Sequence, residues 1–116
     1  MQFICYPKCT TCQKAKKFLE DNALPFSLRD IKTDRPSYDE LKAWHQKTGL
    51  PLKRFFNTSG LQYRELELKD RLPHMNEAEQ LQLLASDGML VKRPLLIMDD
   101  TVLVGFRENE WRETLL

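Results

Sequence analysis

The opening segment, Met1–Ile31, restricts the fold more than any other part of the chain. Met1–Tyr6 is a short apolar, aromatic-rich run suited to a buried strand, and Pro7-Lys8 breaks it. Cys12, Ala15, Phe18 and Leu19 then recur at helical spacing, which predicts a helix over Thr10–Asn22. Leu24-Pro25 ends that helix, and Pro25–Ile31 alternates as a second strand. Two strands joined through a helix pair in parallel by a right-handed crossover, so the segment reads as a βαβ unit.

Cys9 and Cys12 lie at C-x-x-C spacing in the turn between the first strand and the helix. Placed at a helix N-terminus, Cys9 meets unpaired backbone N–H groups and the positive end of the dipole, which favour thiolate over thiol. Lys8, Lys14, Lys16 and Lys17 are expected to push the same way. Such surroundings lower a cysteine from about 8.5 to roughly 3.5–7.5, leaving the sulfur largely anionic at neutral pH. Cys12, one turn on, can close a disulfide with it. The same spacing also opens zinc ribbons, but a structural zinc site needs four ligands and only Cys5, His45 and His74 remain. No metal is therefore expected. Cys5, in mid-strand, reads as a small core hydrophobe, and the two histidines as satisfied or solvated side chains.

At 116 residues the chain is one domain that can bury an ordinary core without staples. With 18 basic against 17 acidic residues the net charge is +1, so no global field recruits nucleic acid or anionic lipid. No apolar run approaches the ~20 residues of a membrane span, and no secretory leader is read at Met1. A cytoplasmic protein is expected, and in a reducing compartment three cysteines favour a working thiol pair over a disulfide framework.

Beyond the βαβ unit the pattern turns helical over about 35–87. Ser37-Tyr38-Asp39-Glu40 is a capping box opening a helix that Gly49 stops, Pro51–Phe56 reads as a short helix, and Asn57–Gly60 as a loop. His74 falls in an expected loop, Leu72–Met75. Asn76–Glu79 repeats the capping pattern before Gln80–Ser86, with Asp87-Gly88 as the stop. Pro94–Met98 and Val102–Phe106 then form a hairpin, and a last helix over Glu108–Leu115 turns Trp111 and Leu115 inward. A βαβ unit, a helical insert, a hairpin and a helix make the layout of a thioredoxin fold: α/β, with a four-stranded mixed sheet covered on both faces.

The sequence resembles the arsenate reductase-like family of glutaredoxin-related proteins, which includes the Spx-type regulators. The resemblance rests on Tyr6–Ala15, on Phe55–Gly60 with Tyr63–Leu66, on Arg93-Pro94 and on Val104-Gly105-Phe106. It implies a cis peptide before Pro94, Cys9 as the reactive cysteine, and Arg93 as an anion-binding group whose planar fork suits an oxyanion or a substrate thiolate. Lys8, Thr10 and Thr11 in the turn, with Pro94 opposite, are the expected substrate-binding residues. Two further arginines of the family's arsenate-reducing enzymes correspond to Asn57 and Gly105, with Arg54, Arg64 and Arg107 nearby. Cys12 matches the second cysteine of the Spx side, where the pair is a reversible disulfide switch.

The expectation is a monomeric thiol–disulfide oxidoreductase. Cys9 is its nucleophile, Cys12 resolves the mixed disulfide, no cofactor is bound, and glutathione or a thioredoxin-type protein is the reductant. The alternatives are a non-enzymatic regulator that binds RNA polymerase and an arsenate reductase. Spx-type regulators usually carry a longer basic C-terminal extension, whereas here Leu116 follows the last helix, so the enzyme is favoured. Direct nucleic-acid binding and membrane association are not expected.

Overall fold

The computed structural model describes residues 1–116. Strands β1 (Gln2–Cys5), β2 (Ser27–Asp30), β3 (Leu95–Ile97) and β4 (Val102–Val104) form one sheet in the order β2-β1-β3-β4. β1 and β2 are parallel, with Gln2 opposite Ser27 and Cys5 opposite Asp30. β3 runs antiparallel to both β1 and β4, pairing Ile4 with Leu95 and Leu95 with Val104. This mixed sheet with helices on both faces is the thioredoxin-like fold read from the sequence.

Because side chains alternate across a strand, each strand supplies two cores. Phe3, Cys5, Leu96 and Leu103 face one side. There they meet Cys12, Ala15, Phe18 and Leu19 of helix α1 (Thr10–Asp21) and Trp111 of helix α6 (Glu108–Leu115). Trp111 stands edge-on to Phe106, Phe18 and Phe3, and its indole N–H donates to the Gly105 carbonyl at 3.1 Å, so its one polar atom is satisfied inside the core. Ile4, Leu95, Val102 and Val104 face the opposite side and pack on Phe55, Phe56, Leu41 and Trp44 from the helices between β2 and β3.

Those helices are α2 (Tyr38–Thr48), α3 (Leu61–Glu65), α4 (Leu68–Arg71) and α5 (Glu77–Ser86), with 3₁₀ turns at Leu52–Phe55, Leu72–His74 and Gly88–Leu90. Both expected capping boxes are present: Ser37 and Glu40 cap α2 reciprocally, and Asn76 and Glu79 cap α5. Gly49 ends α2 in the left-handed conformation, at φ 65. The expected loop around His74 is instead a 3₁₀ turn. Leu72 is buried there, and the amide of Met75 donates to its carbonyl at 3.0 Å, so one anchored apolar residue organises the stretch.

α1 ends through the Asn22 side chain, whose Nδ2 donates to the Phe18 carbonyl at 2.8 Å, and through Ala23 at φ 53. β2 lies at the sheet edge, and its alternation does not bury a full face: Leu28 is 56% exposed. What holds β2 to the insert is Arg29. Its guanidinium makes a two-pronged bond to Glu40 at 2.7 and 2.9 Å and also donates to the carbonyls of Asp34 and Arg35 and to Gln2 Oε1. No helix is long and apolar enough to cross a membrane.

Candidate functional site

Cys9 is the N-cap residue of α1, at the C-terminal end of β1. The turn before it is tied by the Cys9 amide, which donates to the Tyr6 carbonyl at 2.9 Å, and by Gln13 Nε2, which donates to the Pro7 carbonyl at 3.1 Å. As a thiol, Cys9 closes no capping hydrogen bond, yet the amides of Thr11 and Cys12 are aimed at its sulfur. Burial raises its pKa, but the Cys12 amide, the Cys12 thiol, the Thr11 amide and the charge of Arg93 together outweigh burial and lower it. Arg93, rather than any of the four nearby lysines, is the leading cation at Cys9, while the charge of Lys16 bears on Cys5.

Cys12 has the opposite character. It is 2% exposed, and burial pushes its thiol up to about 12 although the Tyr6 amide donates to its sulfur at 3.4 Å. Charge on Cys9 adds to the rise. The motif therefore holds one sulfur that ionises readily at the surface and one kept protonated beneath it. All three cysteines are free thiols.

Above Cys9 opens a cleft of about 490 Å³ lined by Thr11, Arg54, Asn57, Lys92, Arg93 and Arg107 and floored by Gly105, with no carboxylate on its walls. Two parts of the fold bring these residues together. A bridge between Phe56 and Val91, flanked by the Asn57 amide on the Leu90 carbonyl and the Lys92 amide on the Phe55 carbonyl (each 2.7 Å), sets the Arg54–Asn57 wall beside Lys92 and Arg93. The Arg93-Pro94 peptide is cis, and the Pro94 carbonyl accepts from the Gly105 amide at 2.8 Å.

The guanidinium of Arg93 donates to the Met89 carbonyl at 3.2 Å and lies 5.6 Å from the centre of the Tyr6 ring. No carboxylate is paired with it, so most of its donors remain available to a ligand. Gly105 has φ 77, and a Cβ built there would sit 3.1 Å from Lys92 Cε. An arginine at that position would be strained.

Of the residues expected at the site, Cys9, Thr11 and Arg93 line the cleft; Lys8 and Thr10 are exposed outside its lining, Cys12 lies buried below, and Pro94 is buried beside the floor. Arg54 and Arg107 enter the cleft, but Arg64, on α3, does not. Lys92 is the cation that sequence reasoning passed over, although its place next to Arg93 was a usable signal. His45 and His74 are elsewhere; His45 Nδ1 lies 3.1 Å from Glu77 Oε1.

A thioredoxin-like sheet that presents a cysteine pair at the end of its first strand, beneath an arginine preceding a cis-proline, defines the class to which this protein belongs. The ArsC family matches residues 5–114, and the chain belongs to that family. It is 55% identical over 113 residues to the uncharacterized protein YusI of Bacillus subtilis, covering 97% of this chain and 96% of that one. It is 30% identical over 110 residues to the global transcriptional regulator Spx 1 of Oceanobacillus iheyensis, covering 94% and 82%. Among solved structures, an ArsC family-related protein from Bacteroides fragilis superposes with a TM-score of 0.94 at 53% identity, covering 97% and 94%.

Proposed function

We propose that this protein is a thiol–disulfide oxidoreductase whose substrates carry anionic groups beside the reacting sulfur. The observation that carries this reading is the pairing of a readily ionised Cys9 with a protonated Cys12, set under a cleft lined by four cations and no carboxylate. Cys9 thiolate attacks a substrate disulfide, one substrate thiol departs with the electron pair, and a mixed disulfide remains on Cys9. Bridging removes the negative charge of Cys9, and with it one of the causes that hold Cys12 protonated. Cys12 then loses its proton and attacks the Cys9 sulfur, expelling the second substrate thiol and leaving a Cys9–Cys12 disulfide. An external thiol, glutathione or a thioredoxin-type protein, returns the two electrons.

Arg93, with Arg54, Lys92 and Arg107, holds the carboxylates of a substrate such as a glutathione mixed disulfide and stabilises departing thiolate. The test is turnover of glutathione-linked and uncharged disulfides with glutathione and with thioredoxin as reductants. Turnover that prefers the anionic substrate and is lost in Cys9→Ser supports the reading; no turnover with either reductant overturns it.

The likeness to the Spx regulator favours a second reading, a redox switch that binds RNA polymerase, with the Cys9–Cys12 disulfide as its signal. Copurification with RNA polymerase that depends on the oxidation state, in the absence of turnover, would select it.

A further inference from the structure

Resting on the Cys9–Cys12 chemistry just proposed, we infer that Cys5 is a third redox thiol, which exchanges with the Cys9–Cys12 disulfide to form Cys5–Cys12 and sets Cys9 free.

The arrangement follows from strand alternation. Phe3 and Cys5 point to the α1 face of the sheet, and Cys12 occupies the first turn of α1 on that face, so both thiols belong to one apolar cluster. The Tyr6 amide that donates to Cys12 Sγ at 3.4 Å belongs to the peptide bond that follows Cys5. The Tyr6 nitrogen is one Cα–C–N step from the Cys5 Cα, which places the Cys12 sulfur within about 6 Å of that Cα. The Cys12 thiol acts to lower the pKa of both Cys9 and Cys5, although burial and Asp30 keep Cys5 raised.

A second cavity supplies room. Separate from the cationic cleft, a pocket of about 130 Å³ is lined by Cys5, Cys12, Gln13, Lys16 and Leu28. It reaches the buried thiols from behind and opens beside Leu28, which is exposed. A small apolar residue could fill the Cys5 position for packing alone. Packing does not require the two thiols to share a cavity, and exchange does, because a side chain must rotate.

The step balances without an outside oxidant. Cys5 gives its proton to water in the rear cavity, its sulfur attacks Cys12 Sγ, the Cys9–Cys12 bond breaks, and Cys9 leaves with the electron pair. One disulfide is consumed and one is formed. Thiols with lowered pKa leave faster, so Cys9 is the favoured leaving group, while burial of Cys5 and the nearby charge of Asp30 make the attack slow. With Cys12 held by Cys5, Cys9 still reacts with substrate but has no resolving partner, so the protein passes from two-thiol to one-thiol chemistry.

The test uses the full-length protein in two forms that lack a free Cys9: the Cys9→Ser variant, and wild type alkylated at Cys9 with iodoacetamide. Each is oxidised with diamide at low protein concentration, and free thiols and intact mass are measured. The expected result is loss of both remaining thiols to a bridge within one chain, mapped to Cys5–Cys12 and absent when Cys5→Ala is added. Two free thiols after oxidation, or bridges only between chains, would overturn the inference. If the serine variant does not fold, the alkylated wild type decides alone. Oxidised wild type, incubated and then trapped with iodoacetamide, should accumulate label on Cys9, and label confined to Cys5 would also overturn the exchange. Failure of the oxidoreductase reading looks different: wild type would turn over no disulfide substrate with either reductant, whatever bridges it forms.

Discussion

Arg29 and Arg93 show how one residue type serves two ends in this molecule. Arg29, with its side chain 12% exposed, spends its donors on Glu40, on two backbone carbonyls and on Gln2, and so pins the edge strand to the insert. Arg93 makes one carbonyl bond, faces the Tyr6 ring, and stands in a cleft with three other cations and no counter-charge. Where a guanidinium is fully bonded its charge is consumed in stability, and where it is left open the repulsion among neighbours is relieved only by an anion from outside. Pairing, rather than residue type, separates the bonded arginine from the open one.

The largest effect expected from breaking this comparison lies at the sulfur that the open cations serve. Cys9→Ser should reduce disulfide turnover to background, while Cys12→Ser should trap a mixed disulfide on Cys9 that mass spectrometry detects. Alkylation should label Cys9 first at slightly acid pH, because its thiol is lowered while that of Cys12 is pushed up to about 12; faster labelling of Cys12 would contradict the assignment.

Next in size is arsenate. Asn57 and Gly105 stand where two oxyanion-binding arginines are expected, and each absent donor costs on the order of 10²–10³ in rate. Disulfide reduction should therefore persist where arsenate reduction fails. Efficient arsenate turnover that depends on Arg54 and Arg107 would show that these cleft residues replace the missing pair.

Smaller again is Arg93→Ala. It should lower kcat/KM about tenfold for an anionic disulfide, the size of one charge-assisted contact, and much less for an uncharged one. An equal loss for both substrates would mean that Arg93 shapes the cleft and does not bind charge.

On the structural side, Glu40→Gln should cost about 1–2 kcal/mol at neutral pH by denaturant unfolding, discounted because the carboxylate is 38% exposed. The hydrogen bond from Arg29 holds the Glu40 carboxyl down at about 2, below its ordinary 4.5. A lowered folded-state value means that this stability is present above pH 4.5 and is lost as pH falls toward 2, so variant and wild type should converge in acid. A constant gap across that range would remove the ion pair from the account. The smallest change is Lys17→Ala: its pair with Asp21 is exposed on both sides and should be worth about 0.5 kcal/mol or less.

Local rules made the architecture readable from sequence. The period of Cys12, Ala15, Phe18 and Leu19, the two capping boxes, Gly49 as a stop, and the parallel crossover all depend on residues within one turn or one unit of each other. The same is true of Cys9 at the start of α1. The sequence alone did not show that Lys92, Arg54 and Arg107 converge on Cys9, nor that Arg64 turns away. Those positions depend on the Phe56–Val91 bridge and on Gly105, contacts between segments far apart in the chain.

Sequence separated the three thiols in outline but left out most of what moves their ionisation. Cys5, Cys9 and Cys12 are the same residue, read locally as core, nucleophile and partner. Burial, the aim of the amides of Tyr6, Thr11 and Cys12, and the charge of Arg93 pull their ionisation apart. Secondary structure is decided by neighbours in the chain, so the sequence determined it. Solvent exposure and the electric field at a sulfur are sums over everything that surrounds it, so only the tertiary structure decided how far the ionisation of each thiol is moved.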